Sequence, residues 1–284
     1  MKLILVSISF FLLILSTEIY PQFFTEEDVS IFFEKIEFAK NNNLKDLPLN
    51  EIISAIGKTF ISTDYIAHTL EVTDNEELII NLRGLDCTTF LETTFALALC
   101  IKNNETEFEN FQSYLKKIRY RNGKIENYTS RLHYFSDWIY DNQRKNLIED
   151  VTKKIGGVEK KFNVNFMSSN PHLYKHLKNN PKFIPIIKKQ ESEISKRNYY
   201  FIPENKISGI DNEIKNGDFI ALVTNQNGLD IGHVGIAIKN QNGKTHFLHA
   251  PVVGKKVEIT SEPLYEYVKN SKKHIGIIVL RTVE

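Results

Sequence analysis

Two of the 284 residues are cysteines, and both lie in one apolar run, GLDCTTFLETTFALALCIK, over residues 84–102. Cys87, Phe90/Leu91, Thr94, Leu97/Ala98 and Ile101 recur at helical spacing, and Phe95 and Leu99 widen the apolar face, so the run predicts a mostly buried helix from about 87 to 101. Thirteen residues at about 1.5 Å rise put the two sulfurs' backbones ~20 Å apart. A disulfide needs Cα atoms closer than about 7 Å, so these two cannot pair within one helix. Cys100, among Ala96–Ile101, reads as a small core residue. Cys87 stands at the helix start, behind Asp86 as N-cap, with Thr89 and Glu92 as a second capping box. Unpaired N–H groups at such a terminus lower a thiol's pKa and can hold an oxyanion, which makes Cys87 a candidate nucleophile.

A thiol nucleophile needs a base. Of eight histidines, His68, His172, His176, His246 and His274 have polar or mixed neighbours that suit surface or satisfied roles. His233 and His249 lie in a β-hairpin, DIGHVGIAIKNQNGKTHFLHAP. Along residues 233–238, His233, Gly235 and Ala237 share one face, and Val234, Ile236 and Ile238 the other. A two-residue Asn242-Gly243 turn would put the two imidazoles on opposite faces. A three-residue Gln241-Asn242-Gly243 loop pairs Asn240 with Lys244, sets His249 across from Gly235, and places it diagonal to His233 on the same face. We expect the latter. Gly235 and Ala237 would leave room there for a site.

These residues need a helix and a sheet to bring them together. TEEDVSIFFEKIEFAKNN opens on a Thr-x-x-Asp cap within a helical stretch over 23–60. Residues 103–200 are polar with short helices. Strands gather after 198, at YYFIP, GDFIALVT, the hairpin, KVEIT and IGIIVLRT. The fold class expected is α+β, with one catalytic domain over 23–284 and a helical and loop insertion at about 103–200.

Lys and Arg number 36 against 35 acidic residues, and no basic stretch carries interleaved aromatics, so nucleic acid is not an expected partner. Leu3–Leu15 is apolar but for two serines, too short for the ~20 residues a bilayer needs, which predicts a signal peptide over 1–22 and an exported, periplasmic protein with no membrane attachment after its removal. An uncleaved anchor is the alternative.

GLDCTTF, followed by HVGIAI and FLHA, resembles the NlpC-type papain-like cysteine peptidases of bacterial cell walls. LDCTTFLET, SRLHYFSDWI, GLDIGHVGIAI and LHAP, in that order, are similar to the N-acetylmuramoyl-L-alanine amidase-like subfamily over most of residues 45–284. Gly232 departs from the serine common there. The resemblance implies a papain-like core with Cys87 as nucleophile, His233 as general base and His249 as the third member that orients it. Tyr65 and the Cys87 N–H would bind the carbonyl oxygen.

Arg131, Tyr134 and Trp138 have the spacing of one face of a short helix, where simple packing is the plain explanation. An aromatic platform beside an arginine also suits a sugar ring and a carboxylate, and the resemblance places this segment, with His133 and Asp137, at the substrate groove. Ser168, Ser169 and Tyr174 would add a wall.

The expected activity is hydrolysis of the amide between N-acetylmuramoyl, or anhydromuramoyl, and L-alanine in peptidoglycan fragments during cell-wall turnover or recycling, with no cofactor. Alternatives are a D-glutamyl-diaminopimelate endopeptidase, acyl transfer, or a non-catalytic peptidoglycan-binding module. Zinc held by Cys87, His233 and His249 is disfavoured: no HExxH or further carboxylate ligand accompanies them.

Overall fold

The computed structural model describes residues 22–284; the expected signal segment lies outside the described residues, save Gln22. The chain opens with a two-residue strand β1 (Gln22–Phe23) and helices α1 (Glu26–Asn41) and α2 (Leu49–Lys58). Strand β2 (Leu78–Ile79) pairs with β1 in parallel. Thr25 accepts the Asp28 N–H and Asp28 accepts the Thr25 N–H, the reciprocal cap the sequence signals.

Helix α3 (Cys87–Asn103) is buried almost all round from Thr89 to Ile101, which is why its apolar residues are not confined to one stripe. It packs against α2, α4 (Phe108–Arg119) and the sheet. Glu92, placed by spacing in a second capping box, is instead buried in mid-helix. It accepts from Arg119 Nε at 2.7 Å and from Trp138 Nε1 at 3.2 Å, tying α3 to α4 and to α5 (Phe135–Arg144). The cap is a reciprocal pair between Asp86 and Thr89.

Short elements follow: β3 (Ile148–Asp150), β4 (Val158–Lys160), α6 (Phe166–Ser169), α7 (Lys175–Asn179) and α8 (Ile184–Lys196). The expected strands then appear as β5 (Tyr199–Pro203), β6 (Phe219–Thr224), β7 (Ile231–Lys239), β8 (Thr245–His249), β9 (Glu258–Ile259) and β10 (His274–Thr282), with α9 (Leu264–Lys269) before the last. They form an antiparallel sheet in the order β4-β5-β10-β6-β7-β8-β9, with β3 also on β10. Helices followed by this sheet make the class α+β.

The sheet is covered on both sides. Val234, Ile236 and Leu248 join the core under α3, whereas Leu222, Ala237 and Phe247 face a second core with Leu264 and Val268 of α9. A register shift between Leu222 and Val223 bulges β7 at Gly232. Ile236 pairs with Leu248 and Lys239 with Thr245, and Gly243 takes φ +74° at the end of a three-residue loop. That is the register that brings His249 opposite Gly235.

Candidate active site

Cys87 is held by the cap of α3, and its surroundings decide its chemistry. It is half-buried, in contact with the Thr88 hydroxyl at 3.9 Å. Burial, reinforced by the neighbouring Asp86 carboxylate, pushes the thiol up to about 12, against the pull of the Val234 and Thr88 N–H groups. The lowering expected from the helix terminus is therefore outweighed: desolvation of a thiolate costs more than the few N–H dipoles return. No hydrogen bond joins Sγ to either imidazole among the described residues. Cys100 is fully buried in the core, as its neighbours predict.

His233 Nε2 lies 2.7 Å from His249 Nδ1. Both side chains lie on the α9 side of the sheet, His233 edge-on to Phe247 and His249 stacked on it at 4.7 Å between ring centroids. Burial, with His249 and His274 nearby, holds His233 well below the ordinary histidine range. Burial takes His249 down to about 4, opposed by Glu262. The pair is thus neutral near pH 7. Gly235 serves this pair in a different way from that expected. A Cβ there would fall 2.5 Å from the Leu248 carbonyl oxygen and 2.9 Å from His249 Cβ, so the glycine admits the imidazole rather than a substrate. Asp230 fixes the start of β7, accepting the Ser136 N–H at 2.7 Å from α5 and the Ile231 N–H at 2.8 Å.

Tyr65 stands between the two arms. Its segment bonds on one side to the chain entering α3, through Leu85 N to Asp64 O and Ile66 N to Leu85 O, and on the other to the chain leaving β8, through Tyr65 N to Lys255 O. Burial first, then the charges of Cys87 and Asp86, raise its phenol to about 12. It remains a hydrogen-bond donor at neutral pH.

Cys87, Gly232, His233 and Val234 open on one cavity of about 190 Å³, completed by His133, Tyr134, Met167 and Tyr174. His133, Leu132 and Thr88 also line an adjoining cavity of about 180 Å³ that contains Glu71, Asp86, Arg119 and Arg131. The first cavity reaches from Cys87 to His233 although α3 covers the opposite face of β7, because it opens at the bulged start of that strand.

The other expected substrate residues divide. His133 lines both cavities, its Nε2 2.8 Å from the Tyr128 carbonyl oxygen, and Tyr134 lines the first. Tyr134 donates to Glu191 at 2.8 Å and accepts the Met167 N–H. Arg131 precedes α5 rather than sharing a helix face with Tyr134 and Trp138, and the residue is 5% exposed, its guanidinium paired with Glu71 and Glu76. Asp137 is 2% exposed between Arg121 and Arg197. Trp138 is 0% exposed, stacked on Phe135 at 4.8 Å, and offers no platform to a sugar. These two are structural, because burial and internal partners consume the groups that recognition would use. Tyr174 lines the cavity; Ser168 and Ser169 are not among its lining residues. Tyr267 and His274, near His249 and His233 respectively, were given no part by the sequence; they lie far along the chain in an ordinary helix and strand.

No group of three or more potential metal ligands occurs among the described residues, and no helix among them is long and apolar enough to cross a membrane.

An α+β protein with a thiol at a helix start beside a histidine pair defines a class of candidate hydrolases. The AmiA-like family model, N-acetylmuramoyl-L-alanine amidase-like, matches residues 55–277, and the chain belongs to that family. A solved N-acetylmuramoyl-L-alanine amidase from Bacteroides uniformis is 38% identical, with a TM-score of 0.79 over 83% of this chain and 99% of that one. A Bacteroides fragilis structure named as a candidate xylanase is 44% identical, with a TM-score of 0.75 over 79% and 98%. A Legionella pneumophila protein, 24% identical, shares the fold with a TM-score of 0.69 over 91% and 95%. Among curated proteins none matches.

Proposed function

We propose that the chain is an exported, periplasmic cysteine amidase of NlpC-type, papain-like design that cleaves the amide between N-acetylmuramoyl or anhydromuramoyl and L-alanine in peptidoglycan fragments. The observation that carries it is that Cys87 and His233 line one cavity, with His249 bonded to His233 and Tyr65 near enough to Cys87 for the two to interact, in a chain of amidase-like family. The high thiol pKa and neutral imidazoles make His233 a general base rather than half of a resting ion pair.

His233 Nδ1 takes the thiol proton as sulfur attacks the lactyl carbonyl. The oxyanion is held by the Cys87 N–H and the Tyr65 hydroxyl. The C–N bond then breaks, the amine of L-alanine leaves with the proton from His233, and a thioester remains. Water attacks the thioester carbonyl as His233 takes its proton. The C–S bond then breaks, His233 returns that proton to the departing thiolate, and the lactyl acid leaves, ionising in solvent. Catalytic hydrogen bonds commonly tighten only with substrate in place, which accommodates the missing Cys87–His233 bond.

A glycosidase would need two carboxyl groups about 5–10 Å apart flanking the bond. The acid lining the catalytic cavity is Asp230, buried and already accepting two N–H groups. The test is digestion of reducing and anhydro muropeptides, and of xylan, by wild type and Cys87→Ala, with products identified by mass spectrometry. Free stem peptide beginning at L-alanine, lost by a factor on the order of 10⁴ in Cys87→Ala, is expected. Glycan carrying L-Ala-D-Glu would make it an endopeptidase, and xylan cleavage that survives Cys87→Ala would overturn the thiol mechanism. Binding without cleavage would make it a recognition module.

A further inference from the structure

One proton occupies the 2.7 Å bond between His233 Nε2 and His249 Nδ1. For His233 Nδ1 to accept from a thiol, that proton must belong to His233 Nε2. His249, neutral, then carries its own proton on Nε2. That atom is buried and has no hydrogen-bond partner among the described residues. A buried donor left unpaired is unfavourable, so the fold must supply something that favours this arrangement.

The ring of Tyr267 meets His249 edge-to-face, 5.2 Å between centroids at 75°, while Phe247 covers a face of the same imidazole. Tyr267 comes from α9, which packs on β8. Its position has no counterpart among the residues the amidase reading uses. We infer that Tyr267 is a positioning residue: its ring caps His249, receives the Nε2–H as a weak N–H···π contact, and excludes water, so that the His233–His249 pair holds one tautomer. An aromatic cap stabilises the donor form of Nε2 modestly; the low basicity of His249 comes instead from burial, which the cap helps to complete by excluding water. The titratable groups around His249 are His233 on β7, Glu258 opposite it on β9, Glu262 in the turn that follows, and Tyr267 itself.

The activity arm of the test rests on the amidase reading; the spectroscopic arm does not. Histidine ¹⁵N NMR of the full mature chain, with Tyr267→Phe and Tyr267→Leu, reads tautomer and titration directly. Wild type and Tyr267→Phe are expected to show His249 protonated at Nε2 and bare at Nδ1, with no titration near pH 6. Tyr267→Leu is expected to move the His249 titration up by about one unit or more and to mix the tautomers. The acid limb of muropeptide hydrolysis should rise with it in Tyr267→Leu alone.

A wild-type His249 protonated at Nδ1 would overturn the inference even if Tyr267→Leu fails to fold. So would an unchanged His249 in folded Tyr267→Leu, or a Phe variant that behaves like Leu, since the hydroxyl and not the ring would then be at work. If the wild type cleaves no muropeptide while the spectra follow the expected pattern, the amidase reading fails and the role of Tyr267 stands.

Discussion

The histidine hairpin and the segment from Arg131 to Trp138 both carry residue types that could recognise or transform a ligand, but the fold uses them in opposite ways. In the hairpin, register and a glycine place two imidazoles against each other with few competing partners. In the segment, Arg131 and Asp137 are held in buried ion pairs and Trp138 is packed against Phe135 and bonded to Glu92. Chemistry is available where a polar group keeps unspent bonding capacity next to a cavity. Where the protein itself saturates that capacity, the same residue types build the frame.

Trp138→Ala tests the frame most severely. It empties a fully buried site and removes one of the two donors to Glu92, and should cost about 3–5 kcal/mol of unfolding free energy in chemical denaturation. A folded variant of near-native stability with selectively weakened muropeptide binding would reverse the assignment.

Gly235→Ala sharpens the other side. The added methyl must displace His249 or the Leu248 carbonyl, at a cost of about 1–3 kcal/mol. Turnover should fall at least tenfold, and alkylation of Cys87 by iodoacetamide should slow with it, in a variant that keeps its native circular dichroism. Native turnover would mean that the position of His249 is not critical.

The smallest effect is on pH dependence. His249 has a folded pKa of about 4, below the ordinary 6.5, so the unfolded chain binds more protons between those values. Its contribution to stability is complete above pH 6.5 and is lost as pH falls towards 4. Replacing it by Asn should flatten the decline of melting temperature between pH 6.5 and 4. An unchanged slope would assign the decline to other groups.

Much of this frame is legible in local sequence. Asp86 announces the start of α3, Thr25 and Asp28 that of α1, and Asn240 to Lys244 fix the hairpin register, because capping and tight turns depend on residues within four of each other. The opposing faces of β7, the use of Asp230 to bind α5 to that strand, and the contact of Tyr267 with His249 depend on contacts between distant segments. Spacing suggested one recognition face for Arg131, Tyr134 and Trp138, but partners such as Glu71, Glu76 and Glu92 come from elsewhere in the chain. The thiol's basicity followed the same rule: the helix terminus is written locally, whereas the burial that outweighs it comes from the assembled core. The sequence by itself determined which residues could act and where their elements begin. Tertiary structure decided which of them remain free to act, since solvation and satisfaction of polar groups are properties of the packed molecule.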